Sequence, residues 1–187
     1  MEIICIRHGK PAFRYPPAAQ RISGARFNRL LEQYDEAGLA PAWNSERAYL
    51  LEGRVISSDL PRALETAALL TKLPVDEIEV DPMFREVPLP RFRREKSRLP
   101  AFMFMPLSRL GWFTGWMASP EDRGASRARV KAAADRLEQM ARESSRVLLF
   151  SHGFFLWLLG GELRVRGWTT TKRGPYRYLE RAEFLRT

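Results

Sequence analysis

Residues 146–153 read Arg-Val-Leu-Leu-Phe-Ser-His-Gly, and residues 2–9 read Glu-Ile-Ile-Cys-Ile-Arg-His-Gly. His8 and His152 are the only two histidines of the chain, and each precedes a glycine at the end of an apolar run. A run of four or five apolar residues rich in β-branched side chains reads as a buried strand. Glycine just past such a strand lets the backbone turn sharply and approach a ligand closely. In open α/β sheets, ligands bind outside the carboxyl ends of the strands. Both imidazoles are therefore expected at one edge of one sheet. The alternative is a pair of unrelated capping or core histidines.

Working outward, 2–6 and 146–150 are strand candidates, joined by Arg54-Val55-Ile56-Ser57 and Ile78-Glu79-Val80. Residues 10–22 hold three prolines and no period, which predicts a loop. Ser23 can cap a helix over 25–37 that Gly38 stops, and a short helix is expected near 44–51. Ser58 or Asp59 can cap a second helix, with Pro61 in its first turn and Ala63, Leu64, Ala67, Ala68 and Leu70 as its apolar face. Pro120 to Gly124 reads as a turn. Residues 126–142 carry Val130, Ala133, Ala134, Leu137, Met140 and Ala141 at helical spacing. A helix over 153–163 starts directly after His152, and the tail from Tyr176 to Leu185 reads as an edge strand. Strands alternating with helices predict an α/β fold, a mostly parallel central sheet with helices on both faces. Residues 84–120, proline-rich, then basic, then aromatic, read as a small inserted loop with short helices, a candidate lid on a single domain of 1–187.

Composition narrows the function. The net charge of +9 favours an anionic partner, and only five of the 31 basic residues are lysine. Arginine suits bidentate phosphate binding, although a compositional bias would give the same excess. No apolar run reaches 18 residues, so no membrane span is expected, and no secretory leader is visible at residue 1. One cysteine, Cys5, allows no internal disulfide and makes a reducing cytoplasm the expected location. Two histidines and one cysteine do not make an ordinary zinc site, and no phosphate-binding glycine loop of the Walker type is present. No metal and no cofactor are expected.

Four stretches that follow strand candidates carry the chemistry: Arg7-His8-Gly9, Ser58 through Thr66, Arg85-Glu86 and Ser151-His152-Gly153. Two histidines, several arginines and one acid form a set suited to phosphoryl transfer through a nitrogen nucleophile. A neutral imidazole attacks, arginine forks and glycine amides neutralise the phosphoryl oxygens, and a carboxylic acid protonates the leaving oxygen.

Arg7-His8-Gly9, Ser58-Asp59-Leu60-Pro61-Arg62-Ala63-Leu64-Glu65-Thr66-Ala67 and Ser151-His152-Gly153 together resemble the histidine phosphatase superfamily, which includes the cofactor-dependent phosphoglycerate mutases. Order and spacing match its small-insertion branch over nearly the whole chain. The resemblance implies that His8 is the nucleophile that becomes phosphohistidine. It implies that Arg7 and Arg62 clamp phosphate, with Gly9 and Gly153 beside them, and that His152 is the second pocket histidine. Glu86 falls where the family has its proton donor, but Val87-Pro88-Leu89-Pro90 replaces the family's usual glycine-containing continuation. Ser23-Gly24 partly matches the family's Ser/Thr-Gly loop, so Ser23, Gly24 and Ser58 are candidates for substrate contact. After the first motif, Lys10-Pro11-Ala12-Phe13 replaces the polar residues with which the mutases grip substrate.

The leading expectation is thus a metal-independent phosphomonoester hydrolase. A mutase-like phosphotransferase is disfavoured by Lys10-Pro11. A non-catalytic phosphoprotein- or nucleic-acid-binding module on the same fold is the third reading, motivated by the basic 91–98 segment beside aromatic residues. The expected partner is a small phosphorylated substrate, or a phosphoprotein, and not nucleic acid. Sequence leaves the substrate and the oligomeric state open. Cys5 is expected in the core, and Trp112 and Trp116 as packing anchors.

Overall fold

The computed structural model describes residues 1–41 and 51–186. In chain order the elements are β1 (Glu2–Arg7), β2 (Arg21–Ser23), α1 (Gly24–Glu36), β3 (Arg54–Ser57), α2 (Pro61–Thr71), β4 (Glu79–Val80), β5 (Arg98–Pro100), α3 (Ala101–Thr114), α4 (Arg123–Ser144), β6 (Arg146–Ser151), α5 (Gly153–Val165) and β7 (Arg181–Leu185). They form two compact units. The first is Met1–Ala12, Gly38–Glu86 and Arg127–Thr187, and the second is Phe13–Ala37 and Val87–Ser126. The helix expected near 44–51 lies outside the described residues, apart from Leu51, which is not helical.

The first unit is built on a five-stranded sheet of order β4-β3-β6-β1-β7. The first four strands are parallel and β7 runs antiparallel at the edge. Alternation sorts the strand residues onto two faces. Ile4, Ile6, Val55, Leu148 and Phe150 pack with Ala67 and Leu70 of α2. Ile3, Cys5, Ile56, Val147 and Leu149 point the other way and are equally buried. On α4, Val130, Ala133, Ala134, Leu137, Met140 and Ala141 are all buried, the apolar face read from their spacing. Arg166, just past α5, ties α5 to α4 through Glu162, Asp135 and Glu138. This is the expected mostly parallel α/β sheet. α4 starts at Arg123, earlier than its apolar period suggests, because the Asp122 carboxylate accepts the Ala125 amide at 2.8 Å.

The second unit holds two features that the sequence reading did not foresee. β2 and β5 form a two-stranded antiparallel sheet, and α3 is one 14-residue helix rather than several short ones, with Pro106 inside it. Both strands are three residues long, too short for a period to register. Ser23 caps α1 as expected, its hydroxyl accepting the Arg26 amide at 3.2 Å. Phe27, Phe92 and Phe104 fill this unit's core with Ile22 and Leu30. Trp112 is an anchor here, its indole N–H donating to the Glu121 carbonyl at 3.0 Å. Trp116 is not, since 70% of it is exposed. Among the described residues no helix is long and apolar enough to cross a membrane.

Candidate active site

Strand register assembles the site. Arg7 pairs with Ser151 across β1 and β6, and Ser57 pairs with Phe150 across β3 and β6. β1 and β6 therefore end level and β3 one residue earlier, and the next residues, His8, His152 and Ser58, are brought together. Two backbone bonds fix them there: His8 N donates to Ser151 O and Ser58 N to Phe150 O, both at 2.9 Å.

The imidazoles of His8 and His152 lie 5.0 Å apart, centroid to centroid. Both are buried. His8 Nδ1 sits 2.6 Å from the carbonyl oxygen of Gly9. A carbonyl only accepts, so Nδ1 carries the proton and Nε2 of the neutral ring carries the lone pair. Burial, then the Arg62 charge, pushes His8 from its ordinary value down to about 3, against the Gly9 bond, with Arg7 adding to the lowering. Burial first, and then the charges of His8, Arg62 and Arg7, also hold His152 well below its ordinary range. Both shifts favour the neutral form of each imidazole.

Arg62, on the first turn of α2, is fully buried. Arg7 donates through Nη1 to the Tyr176 carbonyl at 2.5 Å and lies over the Tyr178 ring, 4.3 Å from its centroid. The Nε of Arg7 and the Nδ1 of His152 are buried and make no hydrogen bond. The Tyr178 ring also stands 5.7 Å from that of His8. Sequence reading missed Tyr178. The signal was topological: a tail strand antiparallel to β1 must begin beside the carboxyl end of β1. Leu179 takes the left-handed conformation, φ 57°, and its amide donates to the Arg7 carbonyl at 3.1 Å.

The helix caps differ from expectation. The N-cap of α2 is Leu60, with Pro61 following, and no side chain caps it. Ser58 serves the site instead: its hydroxyl is 2.9 Å from His152 Nε2 and accepts the Leu60 amide at 3.3 Å. Asp59 makes a two-pronged ion pair with Arg85. Thr66 braces the first motif, accepting the Gly9 amide at 3.0 Å and donating to the Arg62 carbonyl at 2.6 Å. The Gly9 N–H is thereby committed, and Gly9 serves His8 through its carbonyl. A side chain on Gly9 would collide with Leu39 at 2.5 Å.

Glu86 lies in the same unit, at the start of α5. Its Oε2 accepts the Phe154 amide at 3.1 Å and its Oε1 the Phe155 amide at 2.8 Å. A carboxylate is well placed at the positive end of a helix, and these bonds hold it at the first turn of α5, the helix that follows His152. Ser23 and Gly24 lie in the second unit. There Ser23 caps α1, and a side chain on Gly24 would meet the Arg94 carbonyl at 2.8 Å. Among the described residues, no three His, Cys, Asp or Glu side chains converge as metal ligands. Two imidazoles, one of fixed tautomer, beside two arginines can hold a tetrahedral anion and attack it.

The family model of the histidine phosphatase superfamily (branch 1) matches residues 3–174. No curated protein sequence matches the chain. Among solved structures, a mycobacterial glucosyl-3-phosphoglycerate phosphatase aligns with a TM-score of 0.60 at 20% identity, over 97% of this chain and 88% of its own. A mutant phosphoserine phosphatase from Entamoeba histolytica, in complex with phosphoserine, aligns with a TM-score of 0.57 at 15% identity, over 98% and 90%. Both have the same fold. With the family model covering nearly the whole chain, from β1 to the approach to Tyr176, the chain belongs to the histidine phosphatase superfamily, branch 1.

Proposed function

We propose that this histidine phosphatase is a phosphomonoester hydrolase that needs no metal ion and works through a phosphohistidine on His8. The observation that carries the reading is the 2.6 Å contact from His8 Nδ1 to the Gly9 carbonyl, which leaves Nε2 as the bare nitrogen. In the first step Nε2 attacks phosphorus, the ester P–O bond breaks, and the leaving oxygen takes a proton from Glu86. In the second step water attacks phosphorus, the P–N bond breaks, Glu86 takes the proton back, and inorganic phosphate leaves. Each Glu86 oxygen can accept more than one hydrogen bond, so the two α5 amides orient the carboxyl group without excluding a proton. The Ser58 hydroxyl donates to His152 Nε2, which keeps the His152 proton on Nδ1 for a phosphoryl oxygen. Arg7 and Arg62 balance its negative charge, the part a metal ion takes in other phosphatases.

The substrate class is a small phosphorylated metabolite, in keeping with the names of the two structural neighbours, and the lone, buried Cys5 suits a reducing cytoplasm. Rapid quenching with labelled substrate tests the mechanism. An acid-labile, alkali-stable adduct on His8, formed after exhaustive chelation, is expected. An adduct elsewhere, efficient turnover by His8→Ala, or a restorable demand for magnesium or zinc overturns it.

A further inference from the structure

Helix α3 is apolar on two opposite sides. Ala101, Phe104, Ser108, Gly111 and Trp112 are buried in the second unit. On the other side Phe102, Met105, Leu110 and Phe113 recur at i, i+3, i+8 and i+11, and they are 59, 50, 54 and 37% exposed. Trp116, just past the helix-ending Gly115, is 70% exposed. Arg109, at i+7 on the same side, donates to the Val87 carbonyl at 3.4 Å, and an exposed stripe of apolar residues around it marks an interaction surface.

Cations bracket this stripe. Exposed Arg98 precedes α3 on β5, and Arg21 donates to the Arg98 carbonyl at 2.8 Å. At the other end Arg123, which follows Glu121 and Asp122, donates to the Phe113 carbonyl at 2.8 Å. The second unit carries eleven Lys and Arg against six Asp and Glu, a net +5 over Phe13–Ala37 and Val87–Ser126.

We propose that the second unit docks on an anionic lipid surface through the exposed face of α3. Charge selects this occupant. A second copy would bring one unit of net charge +5 against another. Nucleic acid would meet the cations but leave Phe102, Met105 and Leu110 in water. An anionic bilayer meets both demands, taking the apolar side chains at the acyl boundary and the guanidinium groups among its phosphates. Tryptophan and phenylalanine suit that boundary, and arginine stems reach along it while their charges stay at the headgroups. The docking is peripheral and uses none of the residues placed around His8.

The test is co-sedimentation of the full chain with mixed phosphatidylglycerol–phosphatidylcholine vesicles and with phosphatidylcholine alone. Binding to the mixed vesicles is expected, weakened by salt and weak on neutral ones. Arg98→Glu and Arg123→Glu should each weaken partition about 5-fold or more. The combined Phe102→Ser, Met105→Ser, Phe113→Ser and Trp116→Ser variant should abolish it while keeping the far-ultraviolet circular dichroism of the parent. Should that variant fail to fold, Trp116→Ser alone must still weaken binding. Brominated lipid should quench tryptophan fluorescence in the parent and much less in Trp116→Phe. Absence of binding, equal binding by the serine variants, or undiminished quenching in Trp116→Phe overturns the proposal. So does a dimer that the serine variants dissolve without any vesicle binding, or preferential binding to nucleic acid.

Discussion

Gly153 and Arg7 are in contact across the site: a methyl group on Gly153 would stand 3.1 Å from both Cζ and Nε of the Arg7 guanidinium. The glycine after the second histidine thus makes room for an arginine that precedes the first. Arg7 has little freedom to give way, since the Tyr176 carbonyl and the Tyr178 ring hold it. Gly153→Ala should displace the guanidinium by a few tenths of an ångström. We expect kcat/KM to fall by about 10-fold, short of the 10² that a 1 Å misplacement can cost. Stability should change little, because alanine is the better helix former by about 1 kcal/mol. Steady-state kinetics with p-nitrophenyl phosphate and a melting curve check both. Unchanged kinetics would show that Arg7 moves freely.

Tyr178 should act through Arg7 rather than on the substrate. Cation–π stacking is worth about 0.5–2 kcal/mol, so Tyr178→Ala should raise the inhibition constant of inorganic phosphate roughly 2- to 30-fold. Tyr178→Phe keeps the ring and should stay near the parent. A phenylalanine variant as impaired as the alanine one would assign the role to the hydroxyl instead.

Much of this site was legible because its chemistry sits at strand ends. The apolar runs before His8 and His152 define β1 and β6, and parallel pairing alone then brings the histidines together. Arg62 was legible through its motif, and α2 through Pro61. What escaped depends on contacts between distant parts of the chain. Nothing local to Tyr178 distinguishes it from other tail residues. Only the antiparallel return of β7 along β1 brings it to His8. Ser58 reads locally as a helix cap, yet 94 positions later His152 takes its hydroxyl. β2 and β5 owe their pairing to each other across Arg21–Ser23 and Arg98–Pro100.

The buried histidines should shape the acid side of stability. His8 titrates near 6.5 when unfolded and at about 3 when folded, with burial as the main cause, and His152 is shifted in the same direction. Between those values the unfolded chain binds protons that the folded chain refuses, so stability rises with pH across that window and is full above about 6.5. Lowering pH from 7 to 5 should therefore cost up to about 1.4 kcal/mol per pH unit per histidine. Urea titrations over that range check this, and His8→Asn should remove about half of the slope. A parent flat from pH 7 to 5 would mean that both imidazoles reach water. Over the same range, kcat/KM should show no acid limb owed to protonation of His8.

Thr66 joins the two motifs, and Thr66→Val should strand the buried Gly9 amide. An unsatisfied buried donor costs about 1–3 kcal/mol. Thr66→Ser keeps both bonds and should recover most of that loss in denaturant unfolding. Equal losses in the two variants would trace the effect to packing of the methyl group.

The proposed acid role of Glu86 is separable by substrate chemistry from its hold on α5. Its carboxylate holds the Phe154 and Phe155 amides at the start of α5. Glu86→Gln keeps one oxygen for one amide and turns an NH2 donor toward the other. Some stability, about 1–3 kcal/mol, should be lost whatever the substrate. Proton donation makes a different demand. An alkyl phosphate leaves as a strongly basic alkoxide and needs the full benefit of a general acid, typically about 10²–10⁴ in rate. p-Nitrophenyl phosphate leaves as a weak base and needs little. The variant should therefore slow phosphorylation of His8 by an alkyl ester far more than by p-nitrophenyl phosphate, measured before the steady state so that water activation does not intrude. Equal losses with both would confine Glu86, in this first step, to holding α5. No loss with either would move the acid elsewhere and leave Glu86 at most the second step. Asp59 would be a poor successor, since Arg85 already grips both of its oxygens. The aryl–alkyl ratio, not either rate alone, decides the assignment, because damage to α5 lowers both rates together and leaves their ratio unchanged.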